Sequence, residues 1–176
     1  GAWVDAHQEQ QGPFNSYALT LDGDGKMTPS QVLGVHRNPA PPLLVEIETK
    51  AGQTLTLTPN HPVAVDRPEG QVWVRADEIE IGDQVHAVER ARLVNHSTAY
   101  ATVGTAIGDG LSVKPERDDF LDTVTRVEMI ENGGRYEDVY NLSLLDINSY
   151  IANGLLVKNC GCFECIVMLI PESNGV

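Results

Sequence analysis

Cysteine is scarce and segregated: the 176-residue chain has three, Cys160, Cys162 and Cys165, all close to its end. The body therefore holds no disulfide framework, and thiols crowded into one short segment point to chemistry or metal rather than cross-linking. Basic residues are also few, 12 Lys and Arg against 25 Asp and Glu, for a net charge of −13. That balance argues against a nucleic-acid partner, because phosphate contacts need clustered Lys and Arg. It fits either plain solubility or electrostatic steering of a basic partner. No apolar run approaches membrane-spanning length and no secretory signal is visible, so the expectation is no membrane partner and a cytoplasmic location. What is present is ordinary: 41% hydrophobic residues, in a length sufficient for one domain with a core.

The body is organised as short strands between turns. Residues 1–16 run from Trp3-Val4-Asp5-Ala6-His7 through a Gln-rich stretch to Gly12-Pro13, a pattern that predicts a short helical turn and then a loop. Tyr17 to Leu21 is a strand candidate. In Asp22-Gly23-Asp24-Gly25, Asp and Gly tolerate positive φ and favour a hairpin turn. A calcium loop would need further ligands that the sequence does not supply. Val32 to His36 and Leu43 to Thr49 are strand-like, separated by Pro39-Ala40-Pro41-Pro42. Val45, Ile47 and Thr49 alternate with Glu46, Glu48 and Lys50, the period of a strand with one wet face, and Thr54 to Thr58 repeats it. Val63 to Val65, Val72 to Val74 and Val85 to Val88 add short strands. An irregular loop is expected over about 93–119, with strands resuming at Val124 to Ile130 and Tyr136 to Leu145 around Gly133-Gly134. Many short strands with frequent turns predict an all-β architecture.

Three motifs in order carry a specific resemblance. Thr54-Leu55-Thr56-Leu57-Thr58-Pro59-Asn60-His61-Pro62-Val63 contains a "TxxH" at Thr58 and His61. Ala76-Asp77-Glu78-Ile79-Glu80-Ile81-Gly82-Asp83-Gln84-Val85 is similar to "A-x-E-L-x-x-G-D-x-V". The third is Val139-Tyr140-Asn141-Leu142-Ser143, followed by Asn148 to Lys158 and the pair Asn159-Cys160. Together these resemble inteins, protein-splicing elements of the hedgehog/intein (Hint) type. The resemblance implies an all-β Hint horseshoe and autocatalytic splicing, a single-turnover reaction without a cofactor rather than a multiple-turnover enzyme.

It also implies roles. An N-terminal Cys or Ser converts the upstream peptide bond to a thioester or ester, the residue after the intein takes over the acyl group, Asn cyclises, and the exteins rearrange to an amide. His61 would supply a proton to the leaving nitrogen and Thr58 would hold the geometry. Cys160 would be the branch-point nucleophile and Asn159 the cyclising residue. Three downstream positions depart from the family pattern. Lys158 stands where a His usually precedes the terminal Asn, as a proton donor or an ordinary surface cation. Asn148 stands for a second His, and Asn141 for the Asp of "VYDL".

A fourth departure concerns the start. No Cys or Ser opens a "GDT" strand, and Trp3-Val4-Asp5 resembles the segment that follows that strand. The expectation is an atypically split mini-intein acting in trans, whose partner is a short N-terminal fragment carrying the first Cys or Ser; a truncated chain is the alternative. The splicing domain would span 1–159, without homing endonuclease, and 160–176 would be C-extein. That tail, Cys160-Gly161-Cys162-Phe163-Glu164-Cys165 onward, resembles acetyl-CoA synthase around the Cys-Gly-Cys that holds a nickel. No metal is then expected in the intein, with Cys160 and Cys162 ligands only in the host enzyme after splicing. The rival reading is a nickel or zinc module built on Cys160, Cys162 and Cys165, although structural zinc normally takes a fourth ligand.

Overall fold

The computed structural model of the protein describes residues 8–11, 17–89 and 117–159. Within them the expected all-β architecture holds, with a single turn of 3-10 helix at Ala76–Glu78. The strands are β1 (Gln8–Gln11), β2 (Tyr17–Leu21), β3 (Met27–Pro39), β4 (Leu43–Thr49), β5 (Thr54–Leu57) and β6 (Pro62–Arg67). They continue as β7 (Gly70–Arg75), β8 (Gln84–Val88), β9 (Asp119–Glu131), β10 (Asp138–Leu144), β11 (Ser149–Ala152) and β12 (Leu155–Lys158).

Two long strands change partners midway and so bend the sheets. β3 pairs with β2 through Met27 to Gln31, then with β10 through Val32 to Pro39. β9 pairs with β8 through Asp119 to Thr123, then with β4 from Val124 to Glu131. β12 is an inner strand, held by β11 on one side and by β6 and β8 on the other. The main core gathers Val45, Ile47, Leu55, Leu57, Val63, Val65, Val85, Tyr150, Leu155 and Val157. A second cluster joins Ala64, Val88 and Leu156 to Leu21 and Met27. β6 and β12 are therefore covered on both faces, so Val63-Ala64-Val65 and Leu155-Leu156-Val157 are continuous apolar runs instead of alternations.

The turns follow local chemistry. At Asp22-Gly23-Asp24-Gly25 the Asp22 carboxylate accepts from the Asp24 and Lys26 amides, both at 2.9 Å, and Gly25 takes φ of 73°. This is the expected hairpin turn. Asn153 and Gly154, with φ of 45° and 83°, close β11 onto β12 as a two-residue hairpin loop.

Four expectations need correction. The strand read at Val32 to His36 runs from Met27 to Pro39, because its first part serves β2 and the rest β10. Within 1–16, Gln8–Gln11 is a strand rather than helical turn or loop, because it pairs antiparallel with Gly34 to Arg37 of β3. Backbone pairing of this kind overrides the weak strand preference of Gln. Trp3 to His7 lie outside the described residues. The strand foreseen from Val124 begins five positions earlier, at Asp119, because its first half serves β8. The rest of the anticipated loop, over 93–116, also lies outside the described residues, as does the 160–176 segment. Finally, the strand expected over Tyr136 to Leu145 is trimmed to Asp138–Leu144, since Asn132 caps the preceding turn through the Tyr136 amide and carbonyl.

Candidate functional site

Thr58-Pro59-Asn60-His61 is a tight turn between β5 and β6, closed by the His61 amide donating to the Thr58 carbonyl at 3.1 Å. Proline at the second position suits that geometry, since its fixed φ is the one the turn requires. The 76–83 motif holds this turn in place. Ala76 N donates to His61 O and Asp77 N to Pro59 O, both at 2.9 Å. Asp83 in turn fixes the motif: its carboxylate accepts from the Glu80 amide at 3.0 Å and from the Arg67 guanidinium at 2.7 Å. The two upstream motifs are thus one structural unit, and both Thr58 and His61 are buried within it, at 5% and 0% exposure. Beside it, a hydrogen bond from Arg75 holds the Asp77 carboxyl below its ordinary range, against a smaller opposing effect of burial.

β12 brings the downstream residues to the same place. Val157 lies opposite Val63 of β6 in antiparallel register. Asn159 and His61 each lie two residues beyond this pair, toward the same end of the ladder. Alternation along the strands puts His61 on the Val63 face and Asn159 on the Val157 face, which is the face of the main core. The Asn159 amide donates to the Asn148 carbonyl at 2.6 Å, and Asn159 is itself buried. Asn148 thus takes part through its backbone, while the residue as a whole is exposed. Lys158, half-buried and opposite Ser149, falls on the other face of β12 with Leu156. Thr58, His61, Asn148, Lys158 and Asn159 are thus carried near the starts of β6 and β11 and the end of β12, with the Lys158 side chain on the opposite face and Asn148 exposed. Cys160, with Cys162 and Cys165, lies outside the described residues. Among the described residues no group of three or more His, Cys, Asp or Glu side chains is arranged to hold a metal ion.

Asn141 sits on β10, buried, with two donors on its side-chain oxygen: the Leu142 amide at 2.9 Å and the Tyr150 hydroxyl at 3.1 Å. Directly opposite it on β3 is His36, whose Nε2 lies 2.6 Å from Ser143 Oγ. Sequence reasoning missed Tyr150 as a partner of Asn141 and the His36–Ser143 pair altogether. Tyr150 carried a usable signal, because a tyrosine within an apolar stretch has to find a partner for its hydroxyl when buried. Gln53, likewise missed, sends Nε2 to the Val88 carbonyl at 2.6 Å from beneath the β11–β12 loop.

Comparison with known proteins bears on the family and the fold. A family model described as the intein splicing domain matches residues 10–159. The DNA polymerase II large subunit of Halobacterium salinarum is 29% identical over 189 residues, covering 97% of this chain and 13% of that protein. Its counterpart in Haloarcula marismortui is 30% identical over 171 residues, covering 93% of this chain and 12% of that protein. The chain thus spans a small fraction of the length of these relatives. Among solved structures, the PabCDC21-1 intein superposes with a TM-score of 0.66 at 18% identity, covering 89% of this chain and 76% of its own. The solution structure of the Pab PolII intein gives 0.63 at 20% identity, covering 96% and 83%. These identities speak for the fold, the Hint horseshoe that the partner-switching strands build. With the family model matching residues 10–159, the chain belongs to the intein splicing-domain family.

Proposed function

We propose that this splicing domain works through Thr58, His61 and Asn159, at the start of β6 and the end of β12. The observation that supports the reading is the β6–β12 pairing of Val157 with Val63, from which Asn159 and His61 each lie two residues on toward the same end. At the downstream junction, Asn159 Nδ2 attacks its own main-chain carbonyl carbon. The new C–N bond closes a succinimide, the bond to the Cys160 nitrogen breaks, and the amine leaves as a new N-terminus. Nδ2 gives up a proton and the leaving amine takes one. At the upstream junction His61 protonates the leaving nitrogen while Thr58 keeps the strained bond in place. With Lys158 and Asn148 in the places of two family histidines, proton transfer falls to His61. The Cys160 thiol accepts the acyl group between these steps, most readily as thiolate.

The finer part of the proposal is that splicing runs in trans, with a separate short N-terminal fragment supplying the first Cys or Ser. The likeness of Trp3-Val4-Asp5 to the segment following that strand supports it. The tail from Cys160, with its Cys-Gly-Cys-Phe-Glu-Cys run, supports an acetyl-CoA synthase as the spliced host. In the experiment, the full chain is incubated alone and with synthetic N-terminal fragments over a range of salt concentrations, and products are read by mass spectrometry. A succinimide at Asn159 and a ligated product are expected. Asn159→Ala should abolish both, while Cys162→Ser and Cys165→Ser leave them intact. Absence of succinimide and ligation under every condition refutes splicing by this chain; succinimide without ligation to any fragment refutes the trans reading. No observation in the described residues favours the metal module.

A further inference from the structure

We infer that Tyr150 is a positioning residue for the splicing reaction, acting through Asn141; the inference rests on the splicing reading above. Tyr150 is 1% exposed, its ring packed in the main core. Its hydroxyl donates to Asn141 Oδ1 at 3.1 Å, and the Leu142 amide donates to the same oxygen at 2.9 Å. Both lone pairs of that oxygen are therefore taken by donors. Flipping the carboxamide would set an NH2 group against two donors in a buried place, which fixes Oδ1 as the acceptor and Nδ2 as a donor of one direction. The Tyr150 hydroxyl is what makes this choice firm, since a lone main-chain amide leaves one lone pair open.

Placement connects this pair to the splice junction. Tyr150 and Val157 are direct cross-strand partners on β11 and β12, so their side chains share a face, and Asn159 is two residues beyond Val157 on that face. The phenol thus bridges the strand end that carries Asn159 to Asn141 on β10. A donor whose direction is set by its surroundings is the type of group that stabilises negative charge on a carbonyl oxygen during acyl transfer, because it needs no reorganisation as charge builds. A carboxamide supplies that donor at every pH, which a carboxylate in the same place does not.

The test uses the full chain and measures the rate of cleavage at Asn159 alongside the melting temperature. Tyr150→Phe keeps the ring and removes the hydroxyl; about a fivefold slowing is expected, the scale of one neutral hydrogen bond. Asn141→Ala should slow cleavage at least as much, and adding Tyr150→Phe to it should change the rate no further, because Tyr150 acts through Asn141. Asn141→Asp should give a rate that varies with pH through the carboxylate range, unlike the parent. A Tyr150→Phe rate equal to the parent overturns the inference, as do losses that multiply in the double variant. If Asn141→Ala does not fold, exchange of the Asn141 side-chain amide protons decides: faster exchange in Tyr150→Phe supports the inference and unchanged exchange overturns it. A parent chain that forms no succinimide removes the splicing reading instead, so the two failures are distinguishable.

Discussion

Replacing Gly154 with alanine tests how the hairpin that precedes Asn159 is held. Gly154 takes φ of 83°, where an L side chain meets its own backbone, at a cost of about 1 to 2 kcal/mol. A Cβ there would also run into the side-chain amide of Gln53. That amide is the end of a flexible side chain, but it is not free to move, being buried and bonded to the Val88 carbonyl at 2.6 Å. Displacing it breaks a buried hydrogen bond and costs about 1 to 3 kcal/mol more. The total of about 2 to 5 kcal/mol corresponds, at its middle, to a fall of about 10 °C in melting temperature for a chain of this size. Gly52 provides the control: its φ is 85°, and a Cβ there meets nothing within 4 Å. Gly52→Ala should cost the backbone part alone, about 1 to 2 kcal/mol or about 4 °C. Melting followed by circular dichroism reads both. In a Gln53→Ala background the two glycine substitutions should become nearly equal, because the obstacle is gone. Equal losses for Gly154→Ala and Gly52→Ala with Gln53 in place would refute the reasoning. Cleavage at Asn159 should slow with Gly154→Ala and keep its parental rate with Gly52→Ala.

Two further perturbations follow from the buried carboxylates. Asp83→Ala removes the cap on the Glu80 amide and the partner of Arg67, and should cost about 2 to 3 kcal/mol, read as a lower urea midpoint with an unchanged slope. At Asp119, burial raises the carboxyl, but the hydrogen bonds and charges of Arg117 and His86 outweigh it and leave the group below its ordinary value of 3.8. A carboxylate depressed on folding contributes stability above its unfolded value and loses it as pH falls through the folded one. The parent should therefore lose stability on acidification below about pH 4, and Asp119→Asn should flatten that part of the curve in chemical denaturation at stepped pH; an identical acid limb in both proteins would refute the assignment.

Much of the fold was legible where one face of a strand is wet. Tyr17–Leu21 and Leu43–Thr49 were foreseen at their observed bounds, because turn residues bracket them and, in the second, apolar and charged residues alternate. Gln8–Gln11 was not, since what makes it a strand is the backbone of β3 and nothing in its own side chains. β9 was shortened for a related reason: its first half is specified by β8, a partner distant in sequence. At the site, the TxxH turn is local and could be read directly. The proposed approach of Asn159 to His61 rests on the pairing of Val157 with Val63 between distant strands, which neither spacing nor periodicity encodes. The Tyr150–Asn141 bond is also a matter of tertiary packing, visible beforehand only as an obligation on a buried phenol.

Among the described residues the last ladder bond of β12 is made by the Asn159 amide, one peptide before the bond proposed to be cut. Cyclisation of Asn159 as proposed would consume the next carbonyl and leave every rung behind it in place. The excised domain should accordingly keep its shape after release, a spent body as rigid as its precursor. Such a product has no reason to unravel, and its persistence in the cell would be set by proteolysis rather than by loss of structure.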